Sequence, residues 1–118
     1  MSDKVELFGK ILISEVRDET ISSLDMMISG KMQGVTAKAI REKLVSFDKE
    51  QLEVLEWLLP KVVDLNLHNM LFMLEEHDNI TVVVDNEDIK STSDGLAGEL
   101  YTEDGWISKF SNERYQEL

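Results

Sequence analysis

The chain has no cysteine, which excludes disulfides, thiolate chemistry and cysteine-ligated metal sites. With only two histidines, His68 and His77, a zinc site would have to lean on carboxylates. One proline, no internal repeat and no low-complexity tract leave no linker and no solenoid. Basic side chains number 12 against 24 acidic ones, a net charge of −12. No uninterrupted apolar run is long enough to cross a bilayer. The richest window, 52–74, holds fifteen apolar residues of 23, and Glu53, Glu56, Pro60, Lys61 and Asp64 interrupt it. The start, Met1-Ser2-Asp3-Lys4-Val5-Glu6, lacks the pattern of a signal peptide, so a cytoplasmic protein is expected. Catalytic signatures are missing too: no Gly-x-Ser-x-Gly elbow, no phosphate-cradling loop and no EF-hand spacing occur.

What is present is a globular composition, 42% hydrophobic in 118 residues, enough for one domain with its own core. The charge is unevenly spread. Residues 1–45 carry seven basic and seven acidic side chains, whereas residues 46–118 carry five and seventeen. Such a surface repels phosphate backbones and anionic lipid, so neither nucleic acid nor membrane is an expected partner. It attracts a basic protein and steers its approach. The plainer reading is solubility. This small acidic character resembles that of bacterial immunity and antitoxin-like proteins, a resemblance of type that implies a protein partner and assigns no residues.

The expected fold class is α+β: a single domain over 1–118, with three to four helices over 1–78 and a small antiparallel β-sheet or hairpin over 79–118. Asp3 caps a long first helix that ends near Ser29 and Gly30. Val5, Phe8, Leu12, Val16, Leu24 and Met27 form its inner stripe, with Thr20 on the same line and Ile13, Ile21 and Ile28 on a second edge. Thr36 caps a short second helix that turns Ala37, Ile40 and Leu44 inward. Asp48 and Gln51 make a capping box, flanked by the staple pair Phe47 and Leu52, so a third helix begins at Lys49. Pro60 kinks it, and its apolar pattern runs on to Leu74. Beyond it, residues 80–84 are β-branched and predict a strand, with a turn at 85–88 and a return at 89–91. A second hairpin is expected from 99–102 and 106–110, turning at 103–105, with Ser111 capping a last helical turn.

Two constellations stand out. Asp64, His68 and Glu75 fall within about 40° of one another on the third helix. An acid four residues from an imidazole suits a general base or a metal ligand, and equally a polar seam on a packed helix. Asp94, Glu99 and Asp104 beside Trp106 outline a binding site for a cation or cationic side chain, or simply a turn whose tryptophan packs the core. No metal site and no cofactor are assigned. Met26, Met27, Met32, Met70 and Met73 suit gap-filling or an adaptable contact surface.

The expected function is a non-enzymatic protein-interaction module with the acidic C-terminal half as contact face. The rival is a small metal-assisted or acid–base enzyme using Asp64, His68 and Glu75, with Glu99 brought near by loops folded over the third helix. A homodimer is also expected, because 52–74 has more apolar surface than one small domain covers. Its interface is placed on the first helix, at Ile13, Ile21 and Ile28 with Met26 and Met27 near.

Overall fold

The first helical rod does not keep one period along its length. In a computed structural model, which describes residues 3–113, α1 (Asp3–Leu12) passes through a π-helical turn (Ile13–Arg17) into α2 (Asp18–Ser29). The Asp18 amide donates to the Ile13 carbonyl, five residues back, which is the π pattern. The reason lies in the inward residues. Ile13, Arg17 and Ile21 are all fully buried, and they are spaced by four. Steps of four drift about 40° each on a 3.6-residue helix, and the wider turn absorbs the drift. Val16, expected on the inner stripe, is therefore rotated outward and is 45% exposed.

Gly30 ends α2 in the left-handed region, φ 87°, which glycine adopts without a Cβ penalty. From α3 (Val35–Leu44), the Arg41 guanidinium donates to the Met27 and Met32 carbonyls at 3.3 and 2.9 Å, closing the end of α2. This helix starts one residue before Thr36, after Gly34, so Thr36 is not its cap.

α4 (Lys49–Glu76) opens with the full capping box: each backbone N–H of Asp48 and Gln51 donates to the other's side chain at 2.9 Å. Asp48→Ala should cost about 1 kcal/mol, read as a lower urea midpoint with an unchanged m-value. Pro60 sits inside this helix, which continues to Glu76, and its ring is fully buried.

The C-terminal part holds a two-stranded antiparallel sheet, β1 (Val83–Val84) with β2 (Glu87–Asp88), Val83 facing Asp88 and Val84 facing Glu87. Asp85 and Asn86 turn the hairpin with φ of 48° and 69°, the signature of a type I′ turn. The return strand is thus shorter and earlier than expected. Asp88 accepts the Lys90 amide at 3.0 Å, so residues 89–91 enter a helical turn, α5 (Ile89–Thr92), instead of a strand.

The second expected hairpin is absent from the described residues. Ala97–Leu100 is a 3₁₀ turn and Trp106–Phe110 is a short helix, α6. Alternation alone misreads 106–110, because Trp106, Ile107 and Phe110 also share one face of a helical turn. The 3₁₀ and α6 turns can then bury Leu100, Trp106 and Ile107 together. The turn expected after Ser111 reaches beyond the described residues.

The core joins α1 to the second half of α4 under the C-terminal segment: Val5, Leu12, Ile13, Leu67, Leu71, Ile89, Leu96, Ala97, Leu100, Trp106 and Ile107 are its buried members. The result is a mainly helical α+β chain with extents of 49 × 29 × 22 Å. Its radius of gyration, 16.6 Å, exceeds the roughly 13–14 Å of a compact domain this long. Among the described residues no helix is long and apolar enough to cross a membrane.

Candidate functional site

A dense cluster of hydrogen bonds among the described residues surrounds Arg17, which the π turn aims inward. Its Nε donates to Asp64 Oδ1 at 2.6 Å, and its Nη1 lies 2.9 Å from Asp18 Oδ1. The same Nη1 lies 2.8 Å from Ser111 Oγ and 2.7 Å from the Glu113 carbonyl. Asp18 in turn accepts the Ser111 hydroxyl at 2.8 Å and the Asn112 amide at 2.7 Å. Arg17, Asp18 and Asp64 are 0%, 7% and 4% exposed. Taking three charges out of water is costly, and it is tolerated where hydrogen bonds satisfy each charge. Here those bonds clamp α4 and residues 111–113 onto the start of α2.

Asp64 is therefore engaged with Arg17. His68, expected to share its proton chemistry, lies between two rings instead: Phe72 at 6.3 Å and Tyr101 at 5.8 Å. Its Nδ1 is buried, with no hydrogen-bond partner among the described residues. Burial, and then the negative charge of Asp64, push the Tyr101 phenol above its ordinary 10.0. As pH rises past 10 the unfolded chain loses that proton before the folded one, so stability falls there. Tyr101→Phe should flatten this alkaline loss, checked by urea midpoints at about pH 9 and about pH 11.

Glu75, the third member of the expected stripe, accepts the Ala97 amide at 3.0 Å. Its other oxygen sits 3.3 Å from where a Cβ on Gly95 would stand, and Gly95 has φ 150°. Glu75 thus seats the 95–97 loop on α4. The loop does fold over the helix, as an active site there would need, but Glu99 binds the Ser93 hydroxyl at 3.0 Å. Asp64, His68 and Glu75 share a helix line and serve three separate contacts. Among the described residues no group of three or more His, Asp or Glu side chains stands together as a metal site.

The expected cation site is not assembled around its tryptophan. Trp106 is 1% exposed, lies edge-on to Phe8 at 5.9 Å, and rests against Gly9. A buried indole packs the core and offers no open face to a cation. Asp94 and Asp104 remain on the surface, and Glu99 is half-buried.

Two features escaped sequence reasoning. Sequence reading assigns Arg17 nothing and gives Ser111 only the cap of a last helical turn. The signal for Arg17 was its place midway between Ile13 and Ile21, one helical step from each; Ser111 had none. The other is an apolar groove of about 380 Å³ between α2, α3 and α4, lined by Leu24, Ile28, Ile40, Leu44, Leu55 and Leu59 among others. Of the dimer edge expected on the first helix, Ile13 and Ile21 are fully buried, while Ile28 lines this groove. Among the described residues, half of the large apolar side chains left exposed, seven of fourteen, are on α4. No known protein family, curated protein or solved structure matches the chain.

Proposed function

We propose that this chain is a protein-interaction module whose acidic C-terminal half recognises a basic protein, in the manner of an immunity or antitoxin-like protein. The supporting observation is how its acids divide. Asp64 and Glu75, the two acids of the candidate catalytic stripe, hold the fold through Arg17 and the Ala97 amide. Asp94, Glu103 and Asp104 stand exposed on the C-terminal segment, and none of them is in an ion pair with another of the described residues. Glu50, Glu53 and Glu56 add exposed acids on α4. A surface of one sign raises encounter rates with an oppositely charged partner, and salt screens that gain.

The test is affinity capture at about 50 mM and about 500 mM salt, with the native chain and with an Asp94→Asn, Glu103→Gln, Asp104→Asn variant. The expected result is a strongly basic protein retained at low salt, lost at high salt and lost by the variant. Retention that ignores both salt and the variant would refute the acidic face as the contact.

A further inference from the structure

We propose that the outward face of α4 is the seam of a symmetric homodimer. Val54, Leu58, Val62, Leu65 and Phe72 are 61%, 43%, 54%, 60% and 49% exposed. At 100° per residue they fall within an arc of about 80°, on the side of the helix away from buried Asp64, Leu67 and Leu71. The stripe runs about 27 Å, at 1.5 Å per residue. An apolar strip that long is a liability on a free monomer.

Two quantities identify the occupant as a second copy. The first is area. The chain exposes 7661 Å², about 1,100 Å² more than the roughly 6,500 Å² expected of a compact monomer of its mass. A standard interface takes about 800 Å² from each partner, so one isologous contact absorbs most of the excess.

The second is charge. Two chains of net charge −12 repel each other, chiefly through residues 46–118, which carry the whole of that charge. Between Val54 and Phe72 the only acids of α4 are Glu56 and Asp64, and both lie off the apolar arc by more than about 70°. The one charge at its edge is Lys61, which sits 4.6 Å over the Trp57 ring. Copies can therefore meet on this face without placing carboxylates against one another, while the acidic segments stay outside. A basic partner, by contrast, finds no acid on the arc between Val54 and Phe72 to pair with, and meets one only at its end, at Glu76.

Sedimentation equilibrium at about 10 µM tests this, a concentration at which micromolar dimers are populated. The native chain should sediment at twice its 13.5 kDa. Leu65→Asp should raise the dissociation constant by roughly a hundredfold or more and return a single-chain mass. Because Leu65 is exposed in the single chain, its helical circular dichroism should not change. Leu58→Asp, at a second exposed position, should act the same way. Val16→Asp, exposed on the π turn, should leave the dimer intact. A native mass near one chain up to about 100 µM overturns the proposal. So does dissociation by Val16→Asp with both α4 variants still dimeric. The charge-neutralised variant used for partner capture should remain a dimer, which separates failure of this proposal from failure of the basic-partner reading.

Discussion

Replacing Arg17 by alanine should cost about 3–5 kcal/mol of stability, the penalty for stranding buried charge. The guanidinium is fully buried, and it bonds carboxylates from two helices and the chain near residue 113. Without it, among the described residues Asp64 keeps no cation partner and Asp18 keeps only its bonds to Ser111 and Asn112. Part of the loss is the cost of leaving those acids dehydrated, so removing an acid as well should recover some of it. Arg17→Met combined with Asp64→Leu should therefore be more stable than Arg17→Ala alone. Urea unfolding of the two proteins checks the order. An Arg17→Ala chain within about 1 kcal/mol of native would mean that the cluster contributes little.

Gly9→Ala should be destabilising by about 2–3 kcal/mol, against the usual sign for this exchange inside a helix. Alanine in place of a mid-helix glycine ordinarily stabilises by about 0.5–1 kcal/mol. Here a Cβ would lie 2.3 Å from Trp106 Cε2 and 2.4 Å from Cδ2 and Nε1. The indole cannot simply slide away. It is 1% exposed, with Phe8 against it and Ile107 buried beside it in sequence. Trp106→Phe in the Gly9→Ala background should recover part of the loss, because the smaller ring vacates the overlap. Thermal melts of the single and double variants decide the point. A Gly9→Ala chain as stable as native would show that Trp106 does not rest on that glycine.

These two sites mark where sequence reading succeeds and where it stops. Signals that act between near neighbours were legible. Asp48 and Gln51 cap α4 by hydrogen bonds three residues apart, and Gly30 stops α2 through its own φ. The β-branched run led to a hairpin at 83–88, although only two residues per strand pair. Signals that depend on distant partners were not legible. Arg17 is drawn inward by Asp64, 47 residues away, and by Ser111, 94 residues away. That pairing adds to the burial of Ile13 and Ile21 in favouring the π turn, and the regular stripe through Val16 does not record it. Residues 106–110 fit either period, and the choice of helix is made by the space beside Gly9, which no local pattern records.

The candidate stripe divides the same way. That Asp64, His68 and Glu75 share one line of α4 follows from spacing alone. What each one touches is set by Arg17, by the rings of Phe72 and Tyr101, and by the Ala97 amide. A polar seam and a catalytic row have the same sequence spacing. They differ in what arrives from the rest of the chain.

Whether Asp64 serves the fold or a substrate decides whether an acid–base site built on Asp64, His68 and Glu75 can stand. The direct measurement is a thermodynamic cycle of urea unfolding on native, Arg17→Met, Asp64→Asn and the double variant. Arg17 Nε and Asp64 Oδ1 stand 2.6 Å apart and both side chains are buried, so the two substitutions should not add. A coupling of about 1–3 kcal/mol is the predicted result. Additivity within about 0.5 kcal/mol, with Asp64→Asn as stable as native, would contradict it and leave Asp64 free for chemistry.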